Sequence, residues 1–243
     1  MTIKKLFLNI AFYIVLAVFA LAVFFGVSAI KKSVKGNKNQ TVYVSGGEKV
    51  RMADYNLNLY FTKEDILGKA DILNSVDLEI KLENNESVEE QLKKGTENTV
   101  KFDLAILKIA KENGITLNEK EKAAASHEES EFINEITKTG TLDEFLKINR
   151  TDEEAITRHF LILQISEALK TRLFSKGGKE DLTLEEYKKA QTYFEENREK
   201  YKEISLDEFF EVMLTQKYSS EVIKTTESIE LTKEKGFRNI EIR

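Results

Sequence analysis

The 243-residue chain contains no cysteine, no proline and no tryptophan. Without cysteine there are no disulfides, thiolate metal sites, cysteine nucleophiles or lipid attachment through an N-terminal cysteine, so the cellular compartment has to be read from the N-terminus instead. Average proline usage of about 5% would give roughly a dozen, so folding of this chain does not wait on proline isomerisation. Acidic residues are missing from the first 38 positions, which hold Lys4, Lys5, Lys31, Lys32, Lys35 and Lys38. Setting those six aside turns the formal net charge of -5 into 31 basic against 42 acidic residues, a net of -11. A body that acidic repels phosphate backbones, which argues against nucleic-acid binding.

The apolar run from Leu6 to Ile30 carries no charged residue. As a helix it would rise about 37 Å, enough to cross a hydrocarbon core of roughly 30 Å with some tilt. MTIKK followed by this run and Val27-Ser28-Ala29 also resembles a secretory signal, with cleavage after Ala29. The run exceeds the usual 7 to 15 residues of a signal core, so an uncleaved single-pass anchor is expected. Counting lysines on either side would leave the body in the cytoplasm; the extracytoplasmic side of a bacterial cell membrane is expected instead, as the family resemblance of the residues that follow implies. Residues 31 to 41, KKSVKGNKNQT, read as a polar, basic tether.

From position 42 the pattern is mainly helical. The S/T-x-x-E capping box occurs at Thr116/Glu119, Thr141/Glu144, Thr151/Glu154, Thr183/Glu186 and Ser205/Glu208, each ahead of an apolar periodicity. Helices are predicted at about Met52 to Asn74, Ser87 to Asn113, Leu117 to Lys138, Leu142 to Ile148, Asp152 to Phe174, Leu184 to Tyr201 and Leu206 to Ile229. Gly114 suits a left-handed C-terminal cap, Gly140 marks another stop, and SKGGKED (175 to 181) reads as a mobile loop. FLILQI, Phe160 to Ile165, predicts a helix buried on several sides. VYV and EKV predict a hairpin across Ser45-Gly46-Gly47, and FRNIEIR at the end predicts a last strand.

Catalytic signatures are not visible. His127 in ASHEESE lies near Glu128 and Glu131, but i and i+1 point apart on a helix, so a solvated face fits better than a metal site. His159, beside an apolar run, fits a helix edge. There is no phosphate loop, dinucleotide fingerprint or nucleophile elbow, and the carboxylates are too evenly spread to single out an acid-base pair. No cofactor is expected.

The order of elements resembles a known family. VSGGEKVRMADY is similar to the opening of the SurA/PrsA chaperone module, with one extra residue at the glycines and Ser45 where asparagine is usual. SVEEQLKKGTENTVKFDLAILKIAKENGITLNEKE resembles the long helix of that family, TGTLDEFLKINRTDEEAITRHFLILQI its next unit, and LTLEEYKKAQTYFEENREKY the segment that leads out of the module. The resemblance covers about residues 42 to 201. It implies a SurA N-terminal-like helical module over 42-243, mainly α, with a very small β element formed by the N- and C-terminal segments and one transmembrane helix ahead of it. Relatives insert a parvulin-type prolyl isomerase domain after the exit helix; the 42 residues beyond Tyr201 are too few for one. Residues 205-243 are expected instead to complete the module, with FRNIEIR pairing against Val42 to Val44.

The resemblance implies an ATP-independent holdase for unfolded or exported polypeptides, without isomerase activity. Alternatives are a scaffold for one envelope partner and a relative with residual isomerase activity. Candidate polypeptide-contacting residues are Tyr55, Leu59, Tyr60, Phe102, Phe145, Phe160, Phe209, Phe210 and Met213, all of which also suit a packed core.

Overall fold

Glycine at both 46 and 47, each with positive φ (57° and 89°), makes the two-residue turn that matches the twist of a β-hairpin. It joins β1 (Thr41–Ser45) to β2 (Glu48–Arg51) with Ser45 opposite Glu48, Val44 opposite Lys49 and Tyr43 opposite Val50. The register then shifts between Thr41 and Tyr43. That irregularity lets the neighbours Val42 and Tyr43 both be buried, which a regular alternation would forbid. The computed structural model describes residues 38–67 and 86–234. The expected anchor, residues 68–74 of the first predicted helix and the predicted strand FRNIEIR all lie outside them. Among the described residues no helix is long and apolar enough to cross a membrane.

Chain order then gives α1 (Met52–Leu67), α2 (Val88–Glu112), α3 (Glu119–Ile136), α4 (Leu142–Ile148), α5 (Glu153–Leu173), α6 (Leu184–Glu196), α7 (Leu206–Glu227) and the two-residue β3 (Thr232–Lys233). The architecture is mainly helical with one three-stranded antiparallel sheet, ordered β2-β1-β3. Tyr43 pairs with Lys233 and Val44 with Thr232, and the Glu234 N–H donates to Val42 O at 3.0 Å. The strand paired with this edge of β1 is thus Thr232–Lys233, not the expected FRNIEIR, which lies outside the described residues.

α1 follows β2 without a loop. Its first N–H groups are satisfied by the chain ahead of β1, Met52 donating to Gln40 O (2.8 Å) and Ala53 to Lys38 O (3.1 Å). Asp54 in the first turn accepts from the Arg51 backbone (3.1 Å) and guanidinium (2.9 Å). Arg51 also reaches Glu154 (2.8 Å) and Arg158 reaches Asp54 (3.4 Å), which clasps the hairpin–α1 junction to α5.

Later helix starts follow the capping box at Ser87/Glu90, Asn118/Glu121, Thr141/Glu144, Thr183/Glu186 and Ser205/Glu208. Two predicted boxes are not formed. At α3, Asn118 with Glu121 offers the same reciprocal chemistry two residues beyond Thr116, whose carbonyl accepts from Arg172 instead (2.9 Å). At α5, Asp152 caps, because Thr151 is wholly buried and donates its hydroxyl to Ala53 O (3.0 Å), while Glu154 is drawn to Arg51. α6 stops at Glu196, short of Tyr201, where Asn197 turns its side-chain amide back onto Tyr193 O (2.8 Å).

Among the described residues, three apolar clusters hold the main body. Val42, Tyr43, Val50, Tyr55, Val100 and Ile229 join the sheet to α1 and α2. Leu57, Ala125, Leu146, Ile156 and Phe160 join α1, α3, α4 and α5. Ile106, Ile109, Ile162, Leu169, Tyr218 and Val222 join α2, α5 and α7. α5 thus feeds two clusters, as FLILQI predicts, although Leu163 is exposed. A fourth, smaller cluster of Ala190, Phe194 and Phe209 belongs to the α6–α7 hairpin alone.

The segment expected to be mobile, 175 to 181, is an ordered turn at the base of that hairpin. The Asp181 carboxylate accepts from Gly177 N–H (2.6 Å), Leu182 N–H (2.6 Å) and the Tyr187 hydroxyl (2.7 Å), and Lys217 donates to Asp181 O (3.0 Å). Position 178 must be glycine, since a Cβ there would stand 2.5 Å from Leu173 O.

Candidate polypeptide-binding site

The nine aromatic and aliphatic candidates fall into two sets. Tyr55, Leu59, Phe160 and Phe209 are buried, so a partner reaches them only if helices separate. Tyr60, Phe145, Phe210 and Met213 are half-buried and Phe102 is 39% exposed. Tyr60 and Phe145 stand edge to face (5.0 Å between centroids) in a box with Phe61 and Phe132. Phe210 meets Tyr187 at 4.8 Å on the α6–α7 hairpin. The structure does not gather the nine into one surface.

A groove of about 780 Å³ lies elsewhere, and none of the nine lines it. The hairpin supplies Val44, Ser45, Gly46 and Glu48; α2 supplies Leu104, Leu107, Lys108, Lys111 and Glu112; the connection from α7 to β3 supplies Ser228, Ile229, Glu230 and Thr232. It opens where the chain entering β3 diverges from the end of β1, over the C-terminal half of α2. Buried Leu104 and Ile229 with half-buried Leu107 and Val44 give it an apolar lining. Glu48, Lys108, Lys111, Glu112 and Glu230 are exposed around it, both signs represented, and Lys111 meets Glu48 at 3.5 Å. The volume lies within the range of ligand pockets, about 300 to 1,000 Å³. A smaller depression of about 320 Å³ lies on α6, with Lys188, Lys189 and Tyr193 among its residues.

Three titratable groups with displaced pKa values, Asp103, His159 and Tyr43, lie in the packing of the body. Burial pushes the Asp103 carboxyl up to about 7; Asn58 of α1, donating at 2.9 Å, opposes that shift, and the Asp54 charge adds to it. Burial lowers His159 to about 4, with its ring stacked on Phe61 at 4.4 Å and its Nδ1 buried and unpartnered. His159 is therefore a packed ring between Phe61 and Phe160, not a helix-edge residue. The Tyr43 hydroxyl is raised by burial and by donating to Glu97 at 2.6 Å. His127 is exposed, 4.0 Å from Glu131, and no group of three potential ligands converges for a metal among the described residues.

The groove was not legible in the sequence. Its lining comes from three stretches far apart in the chain, and Val44, Leu104 and Ile229 each read as ordinary apolar positions of a strand or helix. Compared with protein families, curated proteins and solved structures, the chain finds no match in any of the three.

Proposed function

We propose that the protein is a membrane-anchored, extracytoplasmic, ATP-independent holdase that binds unfolded or exported polypeptides, without prolyl isomerase activity. The observation that carries this reading is the groove between the hairpin, α2 and the α7–β3 connection, apolar within and rimmed by both signs of charge. An extended polypeptide offers apolar side chains at alternate positions and charges of either sign between them, and such a lining accepts many sequences without selecting one. Gly46 leaves backbone open at one wall, since nothing lies within 4 Å of where its Cβ would stand. The SurA/PrsA resemblance of residues 42 to 201 and the apolar Leu6 to Ile30 segment supply the placement outside the membrane. Tyr60, Phe102, Phe145, Phe210 and Met213 offer further contact area to a long client.

The test is suppression of aggregation of a chemically denatured client by the full chain in lipid nanodiscs, at stoichiometric concentration and without nucleotide. Leu107→Glu, which places a charge in the apolar lining, is expected to lose most of the suppression while keeping the helical circular dichroism. Unhindered aggregation with the unmodified protein would sink the holdase reading.

A further inference from the structure

The groove has an internal competitor for whatever enters it. Lys111 projects from the last turn of α2 and Glu48 from the first residue of β2, so the two come from different walls. They meet at 3.5 Å with side chains 80% and 55% exposed, as a contact between elements that are far apart in sequence. We propose that this ion pair is a latch across the groove that an extended apolar segment of unfolded polypeptide must open in order to bind, an inference that rests on the groove being the client site. An exposed pair of this kind contributes only about 0.2 to 1 kcal/mol, so the latch biases occupancy and does not block it. It suits a site that has to release its clients: as the polypeptide leaves, Lys111 and Glu48 recover each other without any input of energy. The segment it competes with is apolar, because Leu104, Leu107, Ile229 and Val44 line the same groove.

The experiment measures fluorescence anisotropy of a labelled, reduced and carboxymethylated α-lactalbumin against the full chain in nanodiscs, for five proteins. Glu48→Gln and Lys111→Gln are each expected to tighten binding by up to about fivefold, the factor that 1 kcal/mol represents. The double substitution should tighten it no further than either single one, and the exchanged pair, Glu48→Lys with Lys111→Glu, should return affinity to that of the unmodified chain. Return on exchange separates a latch from a direct attraction of one charge to the client, which exchange would not restore. Equal affinity across all five proteins, or an exchanged pair that behaves like the singles, overturns the latch and leaves the groove reading standing. Absence of binding by every protein overturns both.

Discussion

The main body and the α6–α7 hairpin use the same aromatic chemistry with different numbers of helices around it. In the body, Phe160 belongs to a cluster fed by four helices, and the rings of Phe61, Phe132 and His159 close around it. In the hairpin, Phe194 rests on Phe209 (5.3 Å) and Tyr201 (6.1 Å), with the Arg198 guanidinium 4.7 Å from its ring centre. Phe194 is as well buried as Phe160, but it is packed by two helices and not four, and the hairpin leaves Leu184 73%, Tyr193 46% and Val212 45% exposed. The body therefore holds itself by burial from several sides, whereas the hairpin depends on a polar brace at its base. Local opening is expected to begin in the hairpin.

The same substitution made in both places should separate them. Phe160→Ala is expected to cost the whole body about 3 to 5 kcal/mol, with the denaturant midpoint falling and amide protection in α1, α2 and α5 lost together. Phe194→Ala should instead raise hydrogen exchange in α6 toward that of open chain and leave protection in α2 and α5 nearly unchanged. If Phe194→Ala lowered protection in α2 as much as in α6, the two regions would be one cooperative unit and the comparison would fail.

Proton linkage offers the next contrast, because the two groups that burial moves to about 4 and about 7, His159 and Asp103, sit in the body. His159, lowered to about 4 by burial, contributes stability that is complete above the unfolded value near 6.5 and is lost as pH falls toward 4. The upper limit is about 3 kcal/mol. Asp103, raised to about 7, acts oppositely: its contribution is complete below about 3.9 and is lost as pH rises through 7, up to about 4 kcal/mol. The two nearly offset, so the unmodified body should show little net change in thermal midpoint from pH 4 to 7. Asp103→Asn should unmask loss toward acid and His159→Phe loss toward neutral pH. Parallel profiles for the three proteins would show that neither group is shielded as described. In the hairpin, Tyr187 is pushed up to about 12 by burial and by the Asp181 carboxylate, so it adds nothing in this window.

The smallest effect is expected at the brace. Burial alone would raise the Asp181 carboxyl, yet the N–H groups of Gly177 and Leu182 and the Tyr187 hydroxyl together hold it below the usual carboxylate range. Asp181→Ala should cost about 1 to 3 kcal/mol, felt as faster proteolysis within 175 to 182 and faster exchange in α6, with the thermal midpoint of the body almost unmoved. A body that melted several degrees lower would make the brace part of the core.

Much of the helical layout was written locally. Capping boxes are four-residue arrangements that need no tertiary context, so α4, α6 and α7 begin where Thr141, Thr183 and Ser205 place them. Context decided where two local answers competed, as at Thr151, whose hydroxyl serves Ala53 in the core and leaves the capping to Asp152. The contact residues were harder to read, because an aromatic on the apolar face of a helix is also the residue most useful to a core; Tyr55, Leu59, Phe160 and Phe209 went there. A groove made where one strand parts from another leaves no periodic trace in either segment, so Val44, Leu107 and Ile229 carried no signal of it.

The pairing of β1 with β3 has a consequence for how the protein is made. Tyr43 belongs to the first described strand to emerge during synthesis, while its partner Lys233 comes after the seven described helices. Until then one edge of β1 is uncovered, and the groove lacks the wall that Ser228 to Thr232 provide. Contacts of such long sequence separation close late and slowly. A groove whose wall is supplied by the segment leading into β3 is completed only after the hairpin and α2 that form its other walls, so the direction of synthesis leaves it open until nearly the whole described chain has been made.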